Sequence, residues 1–102
     1  MTTVAETLAY TLKEYGIDTV FGLPGGENLA VLAALREQDI RFVLVRNESS
    51  AVYMADVYAR LTGRPGVCVT TLGPGATNAL AGVSHAYLDR TPVLVLTAES
   101  PE

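Results

Sequence analysis

The chain has 102 residues, 49% of them hydrophobic and 18% charged, which suits one folded domain that buries about two-thirds of its surface and excludes general disorder. Seven Lys+Arg stand against eleven Asp+Glu, a net charge of −4 with no basic cluster, which argues against a nucleic-acid or anionic-membrane surface. A single cysteine, Cys68, excludes a disulfide framework and a cysteine-ligated zinc. No apolar run is long enough to span a membrane, and the N-terminus has no basic segment followed by an apolar one, so the expectation is a cytoplasmic unit.

Thr3-Val4-Ala5-Glu6 reads as a capping box, and Val4, Leu8, Leu12 and Tyr15 follow at helical spacing up to a cap at Gly16. Thr19-Val20-Phe21 is a short strand, broken by Gly22-Leu23-Pro24-Gly25-Gly26. A second helix runs from Asn28 to Glu37 with Leu29, Leu32, Ala33 and Leu35 inward, and a second strand from Ile40 to Val45. Ala51, Met54, Ala55 and Tyr58 mark a third helix from about Glu48 to Thr62, stopped by Gly63. Val67 to Thr71 is a strand, Ala76, Ala79, Leu80, Val83 and Tyr87 mark a fourth helix, and Pro92 to Thr97 is a fourth strand.

Strands of nearly continuous apolar character alternating with helices predict a parallel sheet covered on both faces. With right-handed crossovers this is a doubly wound α/β/α layer of Rossmann-like or flavodoxin-like order. A four-stranded sheet ending without a closing helix leaves a long apolar edge, so the expectation is part of a domain, truncated after the fourth strand.

Ligands of such sheets bind beyond the carboxyl ends of the strands, and the unusual residues collect there. They are Leu23-Pro24-Gly25-Gly26, Arg46-Asn47-Glu48-Ser49, Thr71-Leu72-Gly73-Pro74-Gly75-Ala76-Thr77-Asn78 and Ala98-Glu99-Ser100. The glycine loops read either as close-approach anion cradles or as plain βα turns. Gly73-Pro74-Gly75-Ala76-Thr77-Asn78, with Glu99 after the next strand, nearly matches a dinucleotide fingerprint, but Asn78 replaces the third glycine and Pro74 stiffens the turn. Glu48 begins a helix at the sheet mouth, where an acid serves either the helix dipole or a ligand.

Phe21-Gly22-Leu23-Pro24-Gly25-Gly26, Asn47-Glu48-Ser49-Ser50-Ala51, Ala55-Asp56-Val57-Tyr58-Ala59-Arg60-Leu61-Thr62-Gly63, Gly73-Pro74-Gly75-Ala76-Thr77-Asn78 and Ala86-Tyr87-Leu88-Asp89-Arg90-Thr91-Pro92-Val93 occur in this order. Together they resemble the N-terminal pyrimidine-binding domain of thiamine-diphosphate-dependent enzymes of the acetolactate synthase, pyruvate oxidase and decarboxylase superfamily. The resemblance implies that Glu48 hydrogen-bonds N1′ of the cofactor's aminopyrimidine and favours the imino tautomer that generates the C2 ylide, which attacks a 2-oxo acid. By the same resemblance Pro24, Gly25, Thr71 and Asn78 contact the pyrimidine half.

The chain departs from the pattern in carrying Arg46-Asn47-Glu48-Ser49 where many synthases carry a His-Glu-Gln run, and Glu99 where a Gln or small residue is common. No Gly-Asp-Gly run occurs. The resemblance therefore leaves the diphosphate, Mg²⁺ and any FAD to other domains, and implies a complete enzyme, transferase or lyase, that pairs as a homodimer or homotetramer. Two alternatives compete: a non-catalytic remnant acting as a binding or dimerisation module, and a dinucleotide-binding domain. Of the remaining residues, Cys68 is expected in packing, Tyr53 and Tyr58 in core or interface, and Asp56 and Arg60 as a surface pair at i, i+4. His85 is expected to lack a metal partner.

Overall fold

A computed structural model describes residues 2–71 and 73–97. The first helix, α1 (Val4–Glu14), opens on the expected capping box: the Thr3 hydroxyl accepts from Glu6 N–H at 3.1 Å and the Glu6 carboxylate from Thr3 N–H at 3.2 Å. It leads to β1 (Thr19–Gly22), a 3-10 turn at Gly26–Asn28, α2 (Leu29–Glu37) and β2 (Arg41–Leu44). Then come α3 (Glu48–Thr62), β3 (Gly66–Val69), α4 (Pro74–Asn78), α5 (Leu80–Leu88) and β4 (Val93–Leu96). The boundaries of α3 are those its sequence predicts: Asn47 caps it through a side chain accepting from Ser49 N–H, and Gly63 leaves it in the left-handed region at φ 73°.

All strand pairs are parallel and the sheet order is β2-β1-β3-β4, a doubly wound three-layer arrangement. The two central strands carry the core. Val20, Val67 and Val69 pack with Ala9, Leu12, Ala34 and Leu35 under α1 and α2. Cys68, between the two valines, points the other way and packs with Val45, Ala51, Val52, Ala55 and Ala79 under α3 and α5. Side chains alternate across the pleat, so a strand buried on both faces must be apolar throughout, and β3 is buried along its whole length. The outer strands leave Leu44 and Leu94 exposed.

Four expectations need correction. Val4 and Tyr15 of the first helix lie exposed, and the inward stripe runs through Ala5, Leu8, Ala9 and Leu12. In α2 the inward residues are Val31, Leu32, Ala34 and Leu35, while Leu29 and Ala33 face out. In α3, Met54 is exposed and Val52 takes an inner position. The fourth helix is two: α4 ends at Asn78, whose carbonyl accepts the Ser49 hydroxyl, and Ala79 N–H turns to the Ala76 carbonyl at 3.2 Å before α5 begins. Ala79 is thus a single turn residue between the two helices. Leu80 and Tyr87 are exposed, and the small Ala79, Gly82 and Ala86 face the core, where α5 lies close against α3.

Candidate functional site

The strand order reverses between β1 and β3, since the chain leaves β1 for β2 on one side and reaches β4 beyond β3 on the other. That is the switch point where a crevice opens at the carboxyl ends. The loop after β1 is fastened across it. Gly25 N–H donates to Asn28 Oδ1 at 2.7 Å, Asn28 N–H returns to the Gly25 carbonyl at 3.1 Å, and Asn28 Nδ2 donates to the Thr70 carbonyl at 3.4 Å. Asn28 is buried, and this bracket fixes Pro24-Gly25 beside the end of β3. Sequence reading treats Asn28 only as a helix start; an Asn three residues beyond Gly25 is the signal for the bracket.

Glu48 is the first residue of α3 and half-buried. Its Oε1 accepts from Asn78 Nδ2 at 3.4 Å. Its Oε2 lies 3.3 Å from where a Cβ on Gly75 would sit, and the Thr71 hydroxyl lies closer still to the same point. A Cβ at position 75 would collide with the Thr71 hydroxyl and press on the Glu48 carboxylate, so the missing Cβ is what lets the two converge. Glu48, Thr71 and Asn78 are thus brought together. Pro24 and Gly25 stand on the adjoining loop, with no hydrogen bond to Glu48 among the described residues. Leu72, Ala98, Glu99 and Ser100, also expected at the mouth, lie outside the described residues.

A carboxylate and a hydroxyl drawn together over Gly75 offer the acceptor and the polar neighbour that the edge of an aminopyrimidine, with its ring nitrogen and exocyclic amine, needs.

A second polar cluster lies about 12 Å further along α3. Asp56 is 2% exposed, not the surface residue expected; Arg60 Nε donates to its Oδ1 at 2.7 Å and also reaches Asp89. His85 Nε2 stands 3.3 Å from Asp56 Oδ2 and 3.2 Å from Asp89 Oδ2, so His85 does have two carboxylate neighbours, contrary to expectation. Arg60 already supplies the cation between those carboxylates. Burial raises the Asp56 pKa, but bonds from Arg60 and Thr91 outweigh it and leave the group below the ordinary carboxylate value. Tyr58, half-buried at the opposite end of the sheet, donates to Asp18 at 2.6 Å, and burial followed by that bond raises its pKa. Cys68 is buried and its thiol is pushed up to about 12 by desolvation, in keeping with a packing role. No helix among the described residues is long and apolar enough to cross a membrane.

Residues 2–102 match the family described as thiamine pyrophosphate enzyme, N-terminal TPP binding domain. The chain is 45% identical over 96 residues to a probable 2-ketoarginine decarboxylase of Pseudomonas aeruginosa, covering 94% of this chain and 17% of that protein. It is 43% identical over 97 residues to a probable acetolactate synthase large subunit of Methanocaldococcus jannaschii, covering 95% of this chain and 16% of that one. An acetolactate synthase of Arthrospira platensis is 45% identical over 103 residues, covering 97% of this chain and 18% of the relative. The chain therefore spans less than a fifth of the length of these relatives. With the family matched over nearly every residue and the glutamate, glycine and threonine gathered at the switch point, the chain belongs to the thiamine pyrophosphate enzymes, as their N-terminal TPP binding domain.

Proposed function

We propose that this chain is the pyrimidine-binding portion of an acetolactate-synthase-like enzyme that makes or breaks carbon–carbon bonds of 2-oxo acids, with Glu48 as its catalytic residue. The observation that carries the reading is the convergence of the Glu48 carboxylate and the Thr71 hydroxyl over the bare Gly75. When bound, thiamine diphosphate supplies the electron sink for this chemistry. Glu48 Oε2 holds a proton against a ring nitrogen of the aminopyrimidine, a task for a carboxylate because it accepts a strong hydrogen bond and exchanges a proton. Pro24 and Gly25 bound the ring from the β1 side and Thr71 from the β3 side. Asn78 stands within reach of the same pocket.

The substrate class draws support from the names of the relatives, acetolactate synthases and a 2-ketoarginine decarboxylase. On this reading the rest of a longer polypeptide supplies the remaining strands, the diphosphate and Mg²⁺ ligands and any FAD-holding domain. The complete enzyme is then a cytoplasmic homodimer or homotetramer. An open apolar hollow of about 450 Å³ on the outer side of α3, lined by Phe21, Tyr53, Met54, Val57, Tyr58 and Leu61, supports subunit pairing. It also favours a second reading, a docking module without turnover; sedimentation of the chain as a clean monomer counts against that one.

The test of the first reading is exchange of the cofactor's C2 proton in the complete enzyme. Glu48→Gln should slow it by about 10²-fold or more. An unchanged exchange rate would remove Glu48 from the chemistry.

A further inference from the structure

Two neighbouring residues at the start of α3 each hold one group of Asn78. Glu48 Oε1 accepts from the Asn78 side-chain amide at 3.4 Å, and the Ser49 hydroxyl donates to the Asn78 carbonyl. Ser49 is anchored in turn, its N–H donating to Asn47 Oδ1 at 2.8 Å. The result is a two-point clasp between the first turn of α3 and the end of α4: Ser49 fixes the Asn78 main chain, and so the point from which its side-chain amide reaches Glu48.

The clasp makes the two oxygens of Glu48 unequal. Oε1 carries an N–H donor, while Oε2 faces the position where Gly75 lacks a Cβ. The terminal torsion of a glutamate is broad and nearly two-fold, so an unheld carboxylate spreads its oxygens over many directions. A donor on one oxygen narrows that spread and leaves the other aimed.

We infer that Asn78 is a positioning residue that acts through Glu48, holding Oε1 so that Oε2 meets the ring nitrogen of a bound aminopyrimidine, and does not itself touch the ligand. The inference rests on the reading of Glu48 given above, and it assigns Asn78 a different role from the pyrimidine contact that the family resemblance implies. It also gives Ser49, at the position where the resemblance departs from a His-Glu-Gln run, the task of fixing Asn78.

The experiment uses the full chain and two measurements by NMR. First, the Asn78 side-chain amide signals are followed through the acid range. They should track the ionisation of a carboxylate, and that response should vanish in Glu48→Gln; a flat amide in the unaltered chain overturns the inference. Second, thiamine is titrated into the unaltered chain, Asn78→Leu, Glu48→Ala and the double variant. Loss of one hydrogen bond should weaken thiamine about 3- to 10-fold in Asn78→Leu. In the Glu48→Ala background the same change should shift affinity by less than about 2-fold. Ser49→Ala, which leaves both amide and carboxylate in place, should repeat the pattern with a smaller loss. Losses that add across the cycle mean that Asn78 touches the ligand directly, which overturns the inference and leaves Glu48 standing. Thiamine binding unaffected by Glu48→Ala overturns the reading of Glu48 and the role of Asn78 with it.

Discussion

Gly75 is a buried residue in a helical turn, so an alanine there strains no backbone torsion; its methyl collides with the Thr71 hydroxyl and presses on the Glu48 carboxylate. Gly75→Ala should therefore leave the melting temperature within a few degrees of the unaltered chain while abolishing thiamine-induced shifts at Glu48 and Thr71. A variant that melts early and still binds would show that Gly75 serves packing alone. Cys68 makes the opposite case, a reactive residue type with no reactive setting. With the thiol pushed up to about 12 and fully enclosed, native alkylation by iodoacetamide should be slower by orders of magnitude than in denaturant. Rapid native labelling would mean that the sheet opens around β3.

At the scale of elements, the pairing of α3 with α5 decides where Glu48 and Asn78 meet. A Cβ on Gly82 would lie 2.5 Å from Val52 Cβ and 3.0 Å from the Ser49 carbonyl, so the helices touch backbone to side chain at that point. Gly82→Ala should cost about 1–3 kcal/mol, read as a lowered urea midpoint. It should also move the Asn78 amide resonances, because the wedge enters between α5 and the Ser49 turn that holds Asn78. Destabilisation with an unmoved Asn78 signal would detach the clasp from helix packing. The helical period alone places Leu80 and Tyr87 inward, but close approach selects small residues for the contact, and Ala79, Gly82 and Ala86 take it instead.

Across the whole molecule, Asp56 ties the far end of α3 to α5 and to the turn before β4 through Arg60, His85 and Thr91. Its folded pKa is depressed, so the stability it contributes is present above the unfolded aspartate value of about 3.9 and is lost as pH falls through the folded value. Urea midpoints should fall more steeply below about pH 4 in the unaltered chain than in Asp56→Asn, which has no carboxylate to protonate. Equal acid limbs would show that Asp56 contributes nothing to the acid transition.

Much of this architecture is legible in one dimension because its causes are local. The Thr3 and Glu6 capping box, the Asn47 to Gly63 limits of α3 and the apolar β3 follow from backbone groups that must be satisfied and strands that must be covered on both faces. The glycine-rich loops and Glu48 at a helix start could be seen there too, together with a family resemblance that the match over residues 2–102 bears out. What the chain order could not show is which of these side chains meet. Asp56 and Arg60 look like a surface pair at i, i+4, yet Asp56 is buried because α5 and the turn before β4 close over it. Glu48 and Asn78 stand 30 residues apart and are joined because α3 packs against α4 and α5. The sequence by itself determined the four strands, the first three helices, the doubly wound class and the end of the sheet at which the glycine loops and Glu48 collect. Tertiary structure alone decided the clasp, the bare face at Gly75 and the buried acid, since each depends on distances between segments that no local periodicity encodes.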